Sequence, residues 1–163
     1  MEAENKKIIW ITSGILSQFA STWKMLRSAI EIVPDEYWYG RNHDWNFSRT
    51  LYHILETQKF YIRDTPDGME WGTLLMELAT DDTPAEDVYP PRVILMDLLE
   101  KTEGEVTSYI KGLTLEQILD KDGFKWFGSV FEKLLYLLRH NQHHIGELAR
   151  MLREWECKRI KWT

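Results

Sequence analysis

Apolar residues recur every three or four positions in four long segments of the chain, which is the period of an amphipathic α-helix. The first segment runs from about Glu4 to Ile32. Its apolar stripe consists of Ile8, Ile11, Ile15, Phe19, Trp23, Leu26 and Ile30. Pro34 follows closely, and because proline disfavours the helical conformation of the residue before it, we expect the first helix to end there.

The second segment follows an aromatic and polar connection, "DEYWYGRNHDWN". Asn46 or Ser48 can act as its N-cap, and the helical pattern continues to about residue 65, just before Pro66. The third segment, residues 92–113, follows a polar loop that contains three prolines. It keeps its apolar period in spite of an internal Gly104, so we expect a continuous helix.

The fourth segment follows Ser129, which is a further candidate N-cap, and runs from about residue 130 to Cys157. Between the third and fourth segments, residues 114–129 predict a short helical turn, a tight turn at "KDG" and a brief extended piece. We find no alternating pattern typical of a longer β-strand. The pattern therefore predicts an all-α protein, a four-helix bundle that forms a single domain over residues 1–163.

The composition of the chain excludes several kinds of ligand and cellular environment. A formal net charge of −6 and an isoelectric point near 5.4 argue against a nucleic-acid ligand, which would require a basic surface. No apolar run reaches the roughly 18 residues that a membrane span requires. Cys157 is the only cysteine, so no internal disulfide can form, and we expect a cytoplasmic protein. Eight tryptophans indicate a tightly packed interior, an interface with another chain, or both.

Three of the five histidines lie within the stretch "LLRHNQHHIGELARML" near the C-terminus. His140 and His144 are four residues apart, so their side chains lie on the same helical face, which is also the apolar face. Two imidazoles at this spacing can share a metal ion, and nitrogen ligands suit zinc, nickel, iron or copper. His53, in the middle of the second helix, is the candidate third ligand, because bundle sites are built from facing helices.

A second interpretation of these histidines stays open, since buried histidines are commonly core residues that hydrogen bonds satisfy. His143 lies one position away from the ligand pair, which favours a surface or supporting role, and His43 is expected to be a plain surface residue. Two known motifs are excluded. A zincin requires a glutamate where this chain has Asn141, and the Glu-x-x-His pairs of a di-iron bundle are not found at His53 or at the other two ligand positions.

The stretches "LYHILET" and "HNQHHIGEL" resemble the histidine motifs of the DinB-like (DinB/YfiT-like) superfamily of metalloenzymes, which are four-helix bundles. The resemblance covers essentially the whole chain and implies that His53, His140 and His144 are the metal ligands. It also implies a divalent ion, with zinc or nickel favoured and iron a further candidate, and a homodimer. Ile145 and Glu147 depart from the family pattern, in which a basic residue and a glutamine are frequent.

Characterised members of this superfamily include thiol S-transferases that use low-molecular-weight thiols, and related isomerases and hydrolases. The resemblance therefore implies a metal-dependent enzyme of the transferase or hydrolase type. Glu56, Tyr136 and His143 are the candidate catalytic residues, and Glu56 could orient the imidazole of His53 from one turn away. The alternatives are a metal-binding, stress-associated protein without catalysis and a structural dimer that binds no metal.

Overall fold

The structure, a computed structural model, describes residues 2–39, 41–42 and 45–163. Helices dominate these residues, and the only paired strands among them form a two-residue antiparallel ribbon. In chain order the elements are α1 (Glu2–Ile32), α2 (Asp35–Trp38), β1 (Arg41–Asn42), β2 (Trp45–Asn46), α3 (Phe47–Tyr61), α4 (Thr73–Leu78), a 3₁₀ turn (Ala85–Asp87), α5 (Arg92–Gly112), α6 (Leu115–Leu119) and α7 (Val130–Glu154). The all-α prediction is confirmed.

The long helices α1, α3, α5 and α7 pack in a closed ring, in which α1 and α3 each contact both α5 and α7. Helices α3 and α7 are antiparallel, because Phe47 at the start of α3 contacts Trp155 just after α7, while Tyr61 at the end of α3 contacts Tyr136 near the start of α7. Apolar side chains from all four helices fill the space inside the ring. One face of α3 therefore lies along one face of α7.

The predicted helix ends agree with the structure to within a few residues. Asn46 is the N-cap of α3, since its side chain accepts a hydrogen bond from the backbone amide of Arg49, and Ser129 caps α7 in the same way. Helix α3 ends at Tyr61 and α7 at Glu154, so both are three or four residues shorter than predicted. No strand forms before Ser129, where a bend at residue 123 is followed by turns and bends at residues 125–128.

A buried lysine joins several segments at the end of the bundle where α7 begins. The side chain of Lys133 is fully buried, and its ammonium group donates to the carboxylate of Asp122, the carbonyl of Arg63 at 2.9 Å and the hydroxyl of Tyr109 at 3.2 Å. Burial lowers the pKa of this lysine, while Asp122 opposes the shift. These contacts connect α5, α7, the residues after α3 and the loop before α7.

No helix in the described ranges is both long enough and apolar enough to cross a membrane.

Candidate metal centre

Three histidines from two helices meet inside the bundle, between α3 and α7. His53 lies about two turns after the N-cap of α3, and His140 and His144 lie one turn apart on the facing side of α7. The Nε2 atom of His140 is 3.1 Å from that of His53 and 3.2 Å from that of His144. All three rings are partly buried. The antiparallel packing of α3 on α7 thus brings together the three residues that the sequence predicted as ligands.

The spacing of these nitrogens fits a metal ion. Three nitrogens that each lie about 2.0–2.1 Å from a tetrahedral ion are about 3.4 Å apart. The observed separations of 3.1 and 3.2 Å are only slightly shorter, and the ligand atoms of the three histidines all lie within 4.8 Å of one another. Small side-chain rotations are therefore enough to place all three nitrogens around one ion.

The charge state of the cluster also suits a metal ion. Burial, followed by the neighbouring imidazoles of His144 and His140, lowers the pKa of His53 to about 4. The pKa of His140 is likewise lowered to about 4, first by burial and then by His144. Both imidazoles are therefore neutral at pH 7, which is the form that binds a metal.

The Nδ1 atoms of His144 and His140 lie on the sides of the rings that face away from the cluster, and their surroundings differ. Nδ1 of His144 lies 2.6 Å from Oε2 of Glu147, so it donates a hydrogen bond to that carboxylate. Nδ1 of His140 is buried and has no hydrogen-bond partner among the described residues. In a neutral ring with the hydrogen on Nδ1, Nε2 of His144 presents a lone pair to the other two histidines. The donor set is that of a divalent ion with imidazole ligands.

A family model described as the DinB superfamily matches residues 18–148 of the chain. The chain belongs to the DinB superfamily. The match covers well over half of the chain, and all three histidines and Glu147 lie within it. No curated protein matches the chain.

The position of Glu56 corrects the role that we considered for it. Its carboxylate accepts a hydrogen bond from the hydroxyl of Tyr52 at 2.7 Å and from the backbone amide of Gly72 at 2.5 Å. Tyr52 and Glu56 line a cavity of about 310 Å³ between α3, α4 and α5, and Gly72 is the N-cap of α4. The hydrogen bonds of Glu56 thus connect α3 to the residues before α4 instead of orienting His53. Burial, followed by the hydrogen bond and the charge of Glu56, raises the pKa of Tyr52.

Tyr136 lies one turn before His140 and next to the histidines, with its ring centroid 6.3 Å from that of His140. It belongs to an aromatic cluster with Tyr61 and Phe127, and the guanidinium of Arg139 lies over its ring. Burial, followed by a hydrogen bond with Tyr136, raises the pKa of Tyr61 to about 12. Tyr136 is therefore close enough to the centre to contact a small molecule bound there.

His143 lies next to His144 on α7, and the centroids of their rings are 5.0 Å apart. Its side chain is 68% exposed, and its Nε2 is 3.6 Å from Oε1 of Glu147. It is not one of the three histidines whose Nε2 atoms converge, although the possible ligand atoms of His143, His144 and Glu147 also lie within 4.8 Å of one another. The last histidine, His43, lies outside the described residues.

The residue that the sequence reasoning missed is Glu147. The sequence places it on the helical face of His140 and His144 and shows it as a departure from the family pattern, but we assigned it no role, although it lies three residues after His144 and four after His143. Side chains at these spacings are neighbours on a helix, so the sequence did contain the signal. Only the hydrogen bond at 2.6 Å, however, shows which histidine this carboxylate holds.

Proposed function

We propose that this member of the DinB superfamily binds one divalent metal ion on His53, His140 and His144, and that it is a metal-dependent enzyme of the thiol S-transferase or hydrolase type. The observation that carries the proposal is the convergence of three Nε2 atoms, two pairs of which are 3.1 and 3.2 Å apart. Neutral imidazoles packed this closely are best satisfied by a cation between them.

The chemistry follows from the ligand set. Three neutral ligands leave a divalent ion with its full charge and at least one open position, so that a water or thiol bound there is deprotonated near neutral pH. The chain contributes the burial that keeps His53 and His140 neutral, and Tyr136 is the side chain that we propose as a hydrogen-bond donor to the substrate. Glu56 has no part in this proposal, because its hydrogen bonds are made to Tyr52 and Gly72.

The finer points of the proposal extend what the resemblance implies. Zinc or nickel is the proposed ion, with iron as a further candidate, since imidazole nitrogen suits all three. A low-molecular-weight thiol is the proposed substrate and the cytoplasm the proposed location. We also propose a homodimer, and the strongly exposed rings of Trp10 and Trp162, each 81% exposed, support an interface with another chain.

The first experiment measures metal content. Purified protein, after reconstitution with zinc or nickel, is expected to hold one ion per chain by elemental analysis. The double variant His140→Ala/His144→Ala is expected to lose it, because only one of the three ligands remains. His143→Ala is the matched control, since it removes an exposed histidine from the same helix and should keep the ion. A wild-type protein that holds no ion after reconstitution would refute the proposal and leave a structural role for the histidines.

The second experiment separates an enzyme from a metal-binding protein without catalysis. Conjugation of small thiols to electrophiles, and hydrolysis of activated esters and amides, are measured with the metal-loaded protein before and after a chelator is added. We expect at least one activity that the chelator abolishes and that readdition of metal restores. One ion per chain together with no chelator-sensitive activity would favour the metal-binding, stress-associated alternative.

A further inference from the structure

The hydrogen bond between Glu147 and His144 links a carboxylate directly to the candidate metal centre. We propose that Glu147 is a positioning residue, which determines the nitrogen that His144 presents to His53 and His140. The consequence for metal binding rests on the proposed function, whereas the effect on the His144 ring can be observed in the protein without metal.

The geometry identifies which nitrogen of a neutral His144 ring carries the hydrogen. A carboxylate accepts hydrogen bonds and cannot donate them when ionised, so Nδ1 of His144, 2.6 Å from Oε2 of Glu147, carries the hydrogen. A neutral imidazole has only one N–H, and its Nε2 is therefore a lone pair that is directed at the other histidines. The contact spans three residues within α7, so the helix itself holds the two side chains in register.

Two further contacts near the centre differ from this hydrogen bond. Oε1 of Glu147 is 3.6 Å from His143, beyond hydrogen-bond length, so the stronger interaction of this carboxylate is with His144. Nδ1 of His140 has no hydrogen-bond partner in the part of the chain that the structure describes. His144 is thus a ligand whose orientation a side-chain carboxylate controls, and carboxylates in this position also make the imidazole a more basic ligand.

The burial of the two side chains fits this role. The side chain of His144 is only 12% exposed, whereas that of Glu147 is 39% exposed. The carboxylate therefore keeps contact with water on one side, which limits the desolvation penalty of its charge. On its other side it fixes the orientation of a ring that water hardly reaches. A residue at position 147 that accepts a hydrogen bond is required for this arrangement, and a charged one strengthens it.

The test uses nitrogen-15 NMR of the histidine rings in the full-length protein without metal, near neutral pH. In the wild type, His144 is expected to carry its hydrogen on Nδ1. Glu147→Gln retains an acceptor and should largely preserve this tautomer, whereas Glu147→Ala should lose the preference. Glu154→Ala is the matched control, because it removes an exposed carboxylate from the last turn of the same helix and should leave His144 unchanged.

The same four proteins are then compared for zinc affinity by competition with a chromogenic chelator. We expect the dissociation constant of Glu147→Ala to rise by about 10- to 100-fold, that of Glu147→Gln to rise less, and that of Glu154→Ala to stay within about twofold of wild type. Circular dichroism verifies that each variant is folded before either measurement is interpreted.

The results distinguish failure of this inference from failure of the proposed function. If the wild type binds zinc and Glu147→Ala changes neither the tautomer nor the affinity, the role of Glu147 is refuted and the metal site stands. A loss of affinity without a change in tautomer also refutes positioning, since the carboxylate would then act only through its charge. If the wild type binds no metal, the proposed function fails, and the tautomer alone decides whether Glu147 orients His144.

Discussion

The buried ion pair between Lys133 and Asp122 provides the most quantitative test of the packing that holds α7 in place. The side chain of Lys133 is 0% exposed and that of Asp122 is 14% exposed. Replacement by Met in Lys133→Met keeps the length of the side chain but removes the ammonium group. The carboxylate of Asp122, the carbonyl of Arg63 and the hydroxyl of Tyr109 then lose the donor that they share.

The expected magnitude follows from the burial of the pair. Removal of one partner from a buried ion pair costs about 3–5 kcal/mol of unfolding free energy, because the remaining charge is left without a partner in a site of low polarity. The double variant Lys133→Met/Asp122→Leu removes both charges and should recover a substantial part of that loss. The pKa of Lys133, which burial lowers, supports the view that the charged amine is held there at a cost.

Lys101→Met is the matched control. Lys101 forms an ion pair with Asp97 at 2.8 Å within α5, but both side chains are more than 60% exposed. Exposed pairs of this kind are screened by water and contribute little to stability, so the control should unfold almost as the wild type does.

Urea unfolding followed by circular dichroism at 222 nm measures all four proteins under identical conditions. The wild type and Lys101→Met should share a midpoint, and Lys133→Met should unfold at a clearly lower urea concentration with a similar slope. A loss below about 1 kcal/mol for Lys133→Met would contradict the reasoning, since it would mean that water reaches the pair and screens it.

Two further predictions concern the metal centre. In the metal-free protein, the pKa values of His53 and His140 are lowered from 6.5 to about 4. Between these two pH values the unfolded chain binds more protons than the folded protein does. The free energy of unfolding should therefore fall as the pH drops from about 6.5 to about 4. The depression corresponds to about 3 kcal/mol per ring before screening, and since both rings are partly exposed we expect about 1–2 kcal/mol each. Thermal melts between pH 4 and 7 should show the fall for the wild type and a smaller one for His53→Gln/His140→Gln; equal falls would exclude these two rings as the cause. Zinc at about 100 times its dissociation constant should stabilise the folded protein by about 2.7 kcal/mol near pH 7, as measured in the same melts, and an unchanged melting temperature would show that the ion does not prefer the folded state.

The apolar period predicted the long helices, because a long helix repeats the period several times. Helices α1 and α7, with 31 and 25 residues, were located to within a few residues at both ends. Helices α2 and α4 have only four and six residues, and the sequence analysis did not identify them. So few residues do not complete two helical turns, and their conformation depends on the bundle against which they pack.

The histidines of the candidate site also differ in how far the sequence predicts their positions. The pairing of His140 with His144 could be predicted because a spacing of four residues places two side chains on the same face of any helix. His53 was a hypothesis about facing helices, since no local pattern relates it to residues nearly ninety positions away. The antiparallel contact of α3 with α7 brings its Nε2 to 3.1 Å from that of His140.

The two glutamates show most clearly what the sequence determined and what it left to the tertiary structure. Glu56 and Glu147 each lie three residues after a histidine of the centre. Local spacing therefore predicts equally for both that they could orient that histidine by a hydrogen bond. In the structure Glu56 accepts hydrogen bonds from Tyr52 and from the amide of Gly72, whereas Glu147 accepts a hydrogen bond from His144. Helical periodicity is a property of neighbouring residues and determines which side chains share a face. The choice between partners depends on which groups the packed bundle brings within hydrogen-bond distance, and that is set by contacts between residues that are distant in the chain.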